Sequence, residues 1–84
     1  MRTYNTTVNN AIIEDLYDGY KYEGVNERNQ RTVIEFNSNA TVGFKISSFP
    51  KNSEAREVIF AEEGADAIQI LLGLGVKKVR LIED

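Results

Sequence analysis

Apolar residues recur at two spacings along this chain, and the change of period marks its elements. Val8, Ala11, Ile12 and Leu16 fall at helical intervals; Thr6 or Thr7 can cap the turn before them and Gly19 can end it. The paired Asn9-Asn10 and the tyrosines that follow are weak helix formers. An extended reading, with Ala11 and Ile13 on one face, therefore stands beside the preferred helix. From Tyr20 the period shortens to two. Tyr20 to Val25, Thr32 to Phe36 and Ala40 to Ser47 are rich in aromatic and β-branched residues and alternate in polarity, which predicts three strands. In the third, Val42, Phe44 and Ile46 face one way and Thr41, Lys45 and Ser47 the other. Asn37-Ser38-Asn39 suits a tight hairpin, because Asn tolerates left-handed backbone. Asn26 to Arg31 forms the loop before it. The pattern is an antiparallel meander with one wet face.

Pro50 closes the meander and Lys51-Asn52-Ser53 forms a loop. Val58-Ile59-Phe60 reads as a short strand. The competing reading is one helix from Ser53 to Gly73, which would carry Gly64 in its interior at a cost of about 1 kcal/mol. From Glu62 to Leu72 a helix is expected. Ala65, Ile68, Leu71 and Leu72 form its stripe, widened by Ala67 and Ile70, while Asp66 and Gln69 look outward. On that reading Leu72→Ala costs about 2–5 kcal/mol. Gly73 and Gly75 stop the helix, and Val76 to Ile82 gives a closing strand. The expected class is α+β, a small antiparallel sheet with one face covered by a helix near the C-terminus, and residues 1–84 form a single domain.

Composition narrows the chemistry. With 84 residues and no cysteine, the chain has a thin core and no disulfide to staple it, so self-association is one expected source of further burial. Apolar residues at 42% and charged residues at 27% place it with globular domains rather than disordered ones. The formal net charge of −3 argues against nucleic acid as a partner, since that binding needs a basic surface. No apolar run reaches membrane-spanning length and the start has no signal-peptide core, which predicts a cytoplasmic protein without membrane contact. The Asn-x-Thr triplets at Asn5 and Asn39 are then chance matches.

The absence of both histidine and cysteine removes most general-base, nucleophile and transition-metal schemes. No enzyme activity, cofactor or metal is expected. Ser38, Ser47, Ser48 and Ser53 have no imidazole partner, and the lysines sit in polar surroundings. Glu14, Asp15 and Asp18 would share a helix face and could hold a hard cation, but a solvated face is the preferred reading because ion sites normally bring a glycine-containing loop. Glu62, Glu63 and Asp66 complement the positive end of the later helix. Gly73-Leu74-Gly75-Val76-Lys77-Lys78 follows a helix C-terminus, where free carbonyls repel anions, so it reads as a helix stop rather than a phosphate loop. Tyr17, Tyr20 and Tyr22 cluster, with Tyr20 and Tyr22 on one strand face and Arg28 and Arg31 on the loop beyond. These five are the candidate partner- or ligand-binding residues. Core-edge packing or a protein interface is preferred for them over base stacking.

Asn10-Ala11-Ile12-Ile13-Glu14-Asp15, then Gly19-Tyr20, then Gly24-Val25, together with Ile68, Leu71, Leu72 and Gly75-Val76, resemble the phage anti-Thoeris proteins that sequester cyclic nucleotide signals. The resemblance implies a non-enzymatic sponge that holds a signal nucleotide between subunits of an oligomer, with an extended opening segment. It departs from that family where Glu23-Gly24 stands in place of a His-Gly pair, and where Ala40 to Phe44 replaces a glycine-rich aromatic stretch. No binding residue carries over.

Two functions follow as expectations. The first is a small non-enzymatic regulator or inhibitor, phage or mobile-element encoded, that binds and blocks a host protein. The second is an oligomeric sponge for a nucleotide signal. A flat aromatic patch would favour the first and a basic pocket between subunits the second. A homo-oligomer is expected in either case, because the last strand reads as apolar on both faces and one helix covers only one.

Overall fold

The computed structural model describes residues 6–36, 43–51 and 56–82. Its elements run β1 (Thr6–Thr7), α1 (Ala11–Tyr17), β2 (Lys21–Val25), β3 (Arg31–Phe36), β4 (Phe44–Phe49), β5 (Glu57–Ala61), α2 (Gly64–Gly73) and β6 (Lys78–Ile82). The Asn37-Ser38-Asn39 hairpin, the Ala40–Val42 start of the third strand, and Asn52 and Ser53 of the loop after Pro50 lie outside the described residues.

The fold is α+β, as the sequence predicts. Six strands form one antiparallel sheet in the order β1-β6-β2-β3-β4-β5. The meander continues one strand further than three, because Val58-Ile59-Phe60 pairs with β4 as part of β5. α2 then carries the chain back to β6, which inserts between β1 and β2.

One face of this sheet is the core. Tyr22, Ile34, Ile46 and Ile59 lie opposite one another across four strands, with Leu81 opposite Tyr22 on the other side. Phe44 lies opposite both Phe36 and Ala61. Ile12 and Leu16 of α1 and Ala67, Ile68 and Leu71 of α2 join the same cluster. Two helices therefore cover that face, not one. They touch at Gly64, where an added Cβ would sit 3.0 Å from the Ile13 side chain.

The preferred helix in the first third is present, but its cap is not a threonine. Thr6 and Thr7 are β1, and Asn9 Oδ1 accepts the Ala11 N–H at 2.8 Å. Both helices end the same way. Tyr20 N–H donates to the Asp15 carbonyl and Gly19 N–H to that of Leu16; Val76 N–H donates to Leu71 and Gly75 N–H to Leu72. In each Schellman turn the left-handed position is glycine, Gly19 at φ +98 and Gly75 at φ +91. Gly75 also packs on the β2–β3 turn, whose Glu27 N–H donates to the Leu74 carbonyl at 3.0 Å.

Two expectations are corrected. The α2 stripe is Ala67, Ile68 and Leu71, whereas Ala65 is exposed and Leu72 is 42% exposed. Ala67, Ile68 and Leu71 are three or four residues apart and share the inward side, whereas Ala65, Gln69 and Leu72 share the exposed one. β6 is apolar mainly on one side. Val79 lies opposite Gly24, and Leu81 opposite Tyr22, on the helix-covered face, while Lys78 and Arg80 alternate onto the other, where Ile82 at the strand end is the apolar residue. Among the described residues no helix is long and apolar enough to cross a membrane.

Candidate binding face

The side of the sheet away from the helices carries the alternate residues of every strand, and cross-strand register sorts them into rows. The central row runs Arg80, Glu23, Val33, Ser47, Val58. On one side of it Lys45 lies between Glu35 and Phe60, with Lys21 opposite Ile82 farther along. On the other, Val25 and Phe49 both lie opposite Arg31. One step beyond the Ser48–Glu57 pairing of β4 and β5, Arg56 reaches Phe49: its guanidinium carbon is 5.9 Å from the ring centroid, and that of Arg31 is 5.5 Å away. Both approaches are within cation–π range.

Glu23 anchors the row. Its Oε1 accepts from Arg31 Nε at 2.7 Å and its Oε2 from Arg80 Nε at 2.9 Å. Burial opposes the charge on this carboxylate, and hydrogen bonds to Arg31 and then Arg80 overcome that, leaving its pKa below the ordinary value. Val33 and Ser47 in the same row are also buried, although among the described residues both helices lie on the other side of the sheet. Phe60 at 52% and Val25 at 39% exposure stand open on the same face.

The charge on this face is unlike that of the chain. Among the described strand residues and Arg56, Lys21, Arg31, Lys45, Arg56, Lys78 and Arg80 alternate onto it against Glu23 and Glu35, a net of +4 on a chain of net −3. Most of the other acids among the described residues lie at α1, the start of α2 and the β2–β3 turn. What remains is a basic, partly aromatic sheet surface with a carboxylate held by two arginines at its centre.

The five residues singled out by sequence do not form one site. Tyr22 is 6% exposed in the core, where its hydroxyl donates to Asp15 Oδ2 at 2.6 Å. Burial, then the Asp15 hydrogen bond and charge, push its pKa up to about 12. Tyr17 is 55% exposed yet sets its ring edge-on to Phe36 and Phe44, with centroids 4.8 and 5.5 Å away. Tyr20 precedes β2 and lines an open hollow of about 800 Å³ with Asp15, Asp18, Gly19, Lys21, Leu81 and Ile82. Arg28 tops the β2–β3 turn, 3.8 Å from Glu57 Oε1, with both side chains largely exposed. Only Arg31 belongs to the basic face. Asp15 is committed to Tyr22 rather than to an ion, and among the described residues no group of acidic side chains is arranged to hold a metal. Phe49, Phe60, Lys45, Arg56, Lys78 and Arg80 were not singled out by sequence. Their signal was the alternation of Lys78 and Arg80 with Val79 and Leu81, which becomes a face only once β6 is placed beside β2.

No protein-family model, no curated protein and no solved structure matches this chain.

Proposed function

We propose that this chain is a small non-enzymatic regulator that binds and blocks a host protein, and that it does so with the helix-free face of its sheet against an acidic surface. The observation that carries the reading is the segregation of charge. Six cations lie on one side of the sheet of an acidic chain, and segregation of that kind steers association with an oppositely charged surface. Phe60, Val25 and the Arg-flanked Phe49 supply the aromatic and arginine content typical of the middle of a protein interface.

Capture from host extract, with and without nuclease treatment, tests it, with wild type beside the variant Lys21→Glu/Lys45→Glu. A protein retained by wild type, released by high salt and not retained by the variant supports the reading. Retention that charge reversal leaves unchanged overturns it, and a partner lost on nuclease treatment points to nucleic acid instead.

One observation favours a second reading, an oligomer that sequesters a nucleotide signal. Arg31 and Arg56 both flank Phe49, and guanidinium beside an aromatic ring is chemistry that grips phosphate and base together. Calorimetric titration with cyclic dinucleotides separates the two, since saturable heat lost in Phe49→Ala favours the sponge.

A further inference from the structure

The two edges of the sheet are unlike. Among the described residues β1 is two residues long and offers little backbone to a neighbour. β5 offers five residues, and among the described residues no strand lies along its outer side. Natural sheets usually blunt such an edge with lysine, proline, a bulge or a covering element, because its unpaired N–H and C=O groups are a template for another strand. β5 contains no lysine or proline, and its pairing with β4 runs without a bulge. Its middle is Val58-Ile59-Phe60, with Val58 and Ile59 half-buried and Phe60 52% exposed.

We propose that β5 pairs antiparallel with β5 of a second copy of this chain, with Ile59 opposite its own counterpart. Residues directly opposed in an antiparallel pair share a face, so only alternate registers keep the helices of both copies on the same side. Among those, the register centred on Ile59 pairs all five strand residues, Glu57 with Ala61 and Val58 with Phe60, each twice. One step further it sets Arg56 against Glu62, again twice, and both residues are exposed and of opposite sign. The neighbouring allowed registers lack this match. Centring on Phe60 opposes Glu57 to Glu63, two like charges, and centring on Val58 opposes Arg56 to Phe60. The strand is thus self-complementary in shape and charge in one register, as a two-fold interface requires.

The pairing joins the two six-stranded sheets into one. It places Phe60 of each copy beside the partner's Val58 on the helix-free side, so an apolar seam runs between two basic faces. The interface lies on the edge rather than the face and is read on the purified chain alone, so its failure and that of the proposed host-protein binding are separately visible.

Sedimentation equilibrium of the full chain at micromolar concentration tests it, with circular dichroism confirming that each variant folds. A monomer–dimer equilibrium is expected. Arg56→Glu and Glu62→Arg, each placing like charges together twice, should each weaken the dimer roughly tenfold, and Arg56→Glu/Glu62→Arg should restore it. A wild-type chain monomeric throughout that range overturns the proposal and leaves the edge to a strand of another protein. So does a dimer that neither single reversal weakens, or a double variant no tighter than the singles.

Discussion

Glu23 and Tyr22 are neighbours in sequence but point to opposite sides of β2, and each carries a pH dependence of opposite sign. The folded-state pKa of Glu23 lies below the ordinary 4.5, because two guanidinium hydrogen bonds outweigh the effect of burial. The folded state therefore binds this proton less readily than the unfolded one. Its stabilisation is present above the ordinary carboxylate range and is lost as pH falls through the folded pKa. Glu23→Gln should cost about 1–2 kcal/mol at neutral pH, less than a fully buried pair, because Arg31 and Arg80 are partly exposed. In urea unfolding the gap to wild type should close in acid. Tyr22 is the reverse case. Its pKa rises from 10.0 to about 12, so its contribution is intact below pH 10 and is lost as pH climbs toward 12. An ultraviolet titration should show one of the four tyrosines ionising late, and Tyr22→Phe should abolish that late step at a neutral-pH cost of about 1 kcal/mol. At this scale the sequence was only partly legible. Strand parity placed Tyr20 and Tyr22 together, but nothing in residue type says which side of a strand two helices will cover. That decided that Tyr22 is core and Glu23 is site.

Helix ends were more legible than helix faces. Glycine at the left-handed position is a backbone requirement with a sequence signature, and Gly19 and Gly75 stand where the two Schellman turns need them. The face of α2 was less legible, because apolar residues at both Leu71 and Leu72 leave two helix phases open, one with Ala67 and one with Ala65. Leu71 is 1% exposed and Leu72 42%. Leu71→Ala should therefore cost about 2–5 kcal/mol and Leu72→Ala less than about 1 kcal/mol, measured by denaturant unfolding. Equal costs would mean α2 is rotated from its described position. Gly73 and Gly75 make a second contrast on the same element. An added Cβ at Gly73 meets nothing within 4 Å, whereas at Gly75 it would lie 2.9 Å from the Glu27 backbone nitrogen at a φ of +91. Gly73→Ala should stabilise by about 0.5–1 kcal/mol through helix propensity. Gly75→Ala should destabilise by more than about 1 kcal/mol.

At the scale of the whole molecule, what was hidden in the sequence is what depends on strand order. A net charge of −3 averages an acidic helix layer with a basic sheet face, and only the register of six strands separates them. The expectation against nucleic acid rested on that average. Strand order has a further consequence. β6 comes from the last part of the chain yet lies between β1 and β2 from the first part, and it is the strand that ties β1 to the sheet. Val76 and Val79 are both fully buried around this strand, and Gly24 is small enough for them: a Cβ there would sit 2.7 Å from Val76 Cγ1 and from the Lys78 carbonyl oxygen. The helices share one apolar cluster with residues of β2, β3, β4, β5 and β6, so no subset of elements keeps a complete core when β6 leaves. The chain should therefore unfold in a single cooperative step, with far-ultraviolet dichroism and tyrosine fluorescence reporting the same midpoint. Val79→Ala should shift both probes together, by about 1–3 kcal/mol. Folding has to wait for contacts between the two ends of the chain, so it should proceed on the millisecond-to-second scale of sheet proteins with distant pairings. If tyrosine fluorescence kept its native signal while dichroism fell, the β2–β5 meander would be a unit that survives without β6.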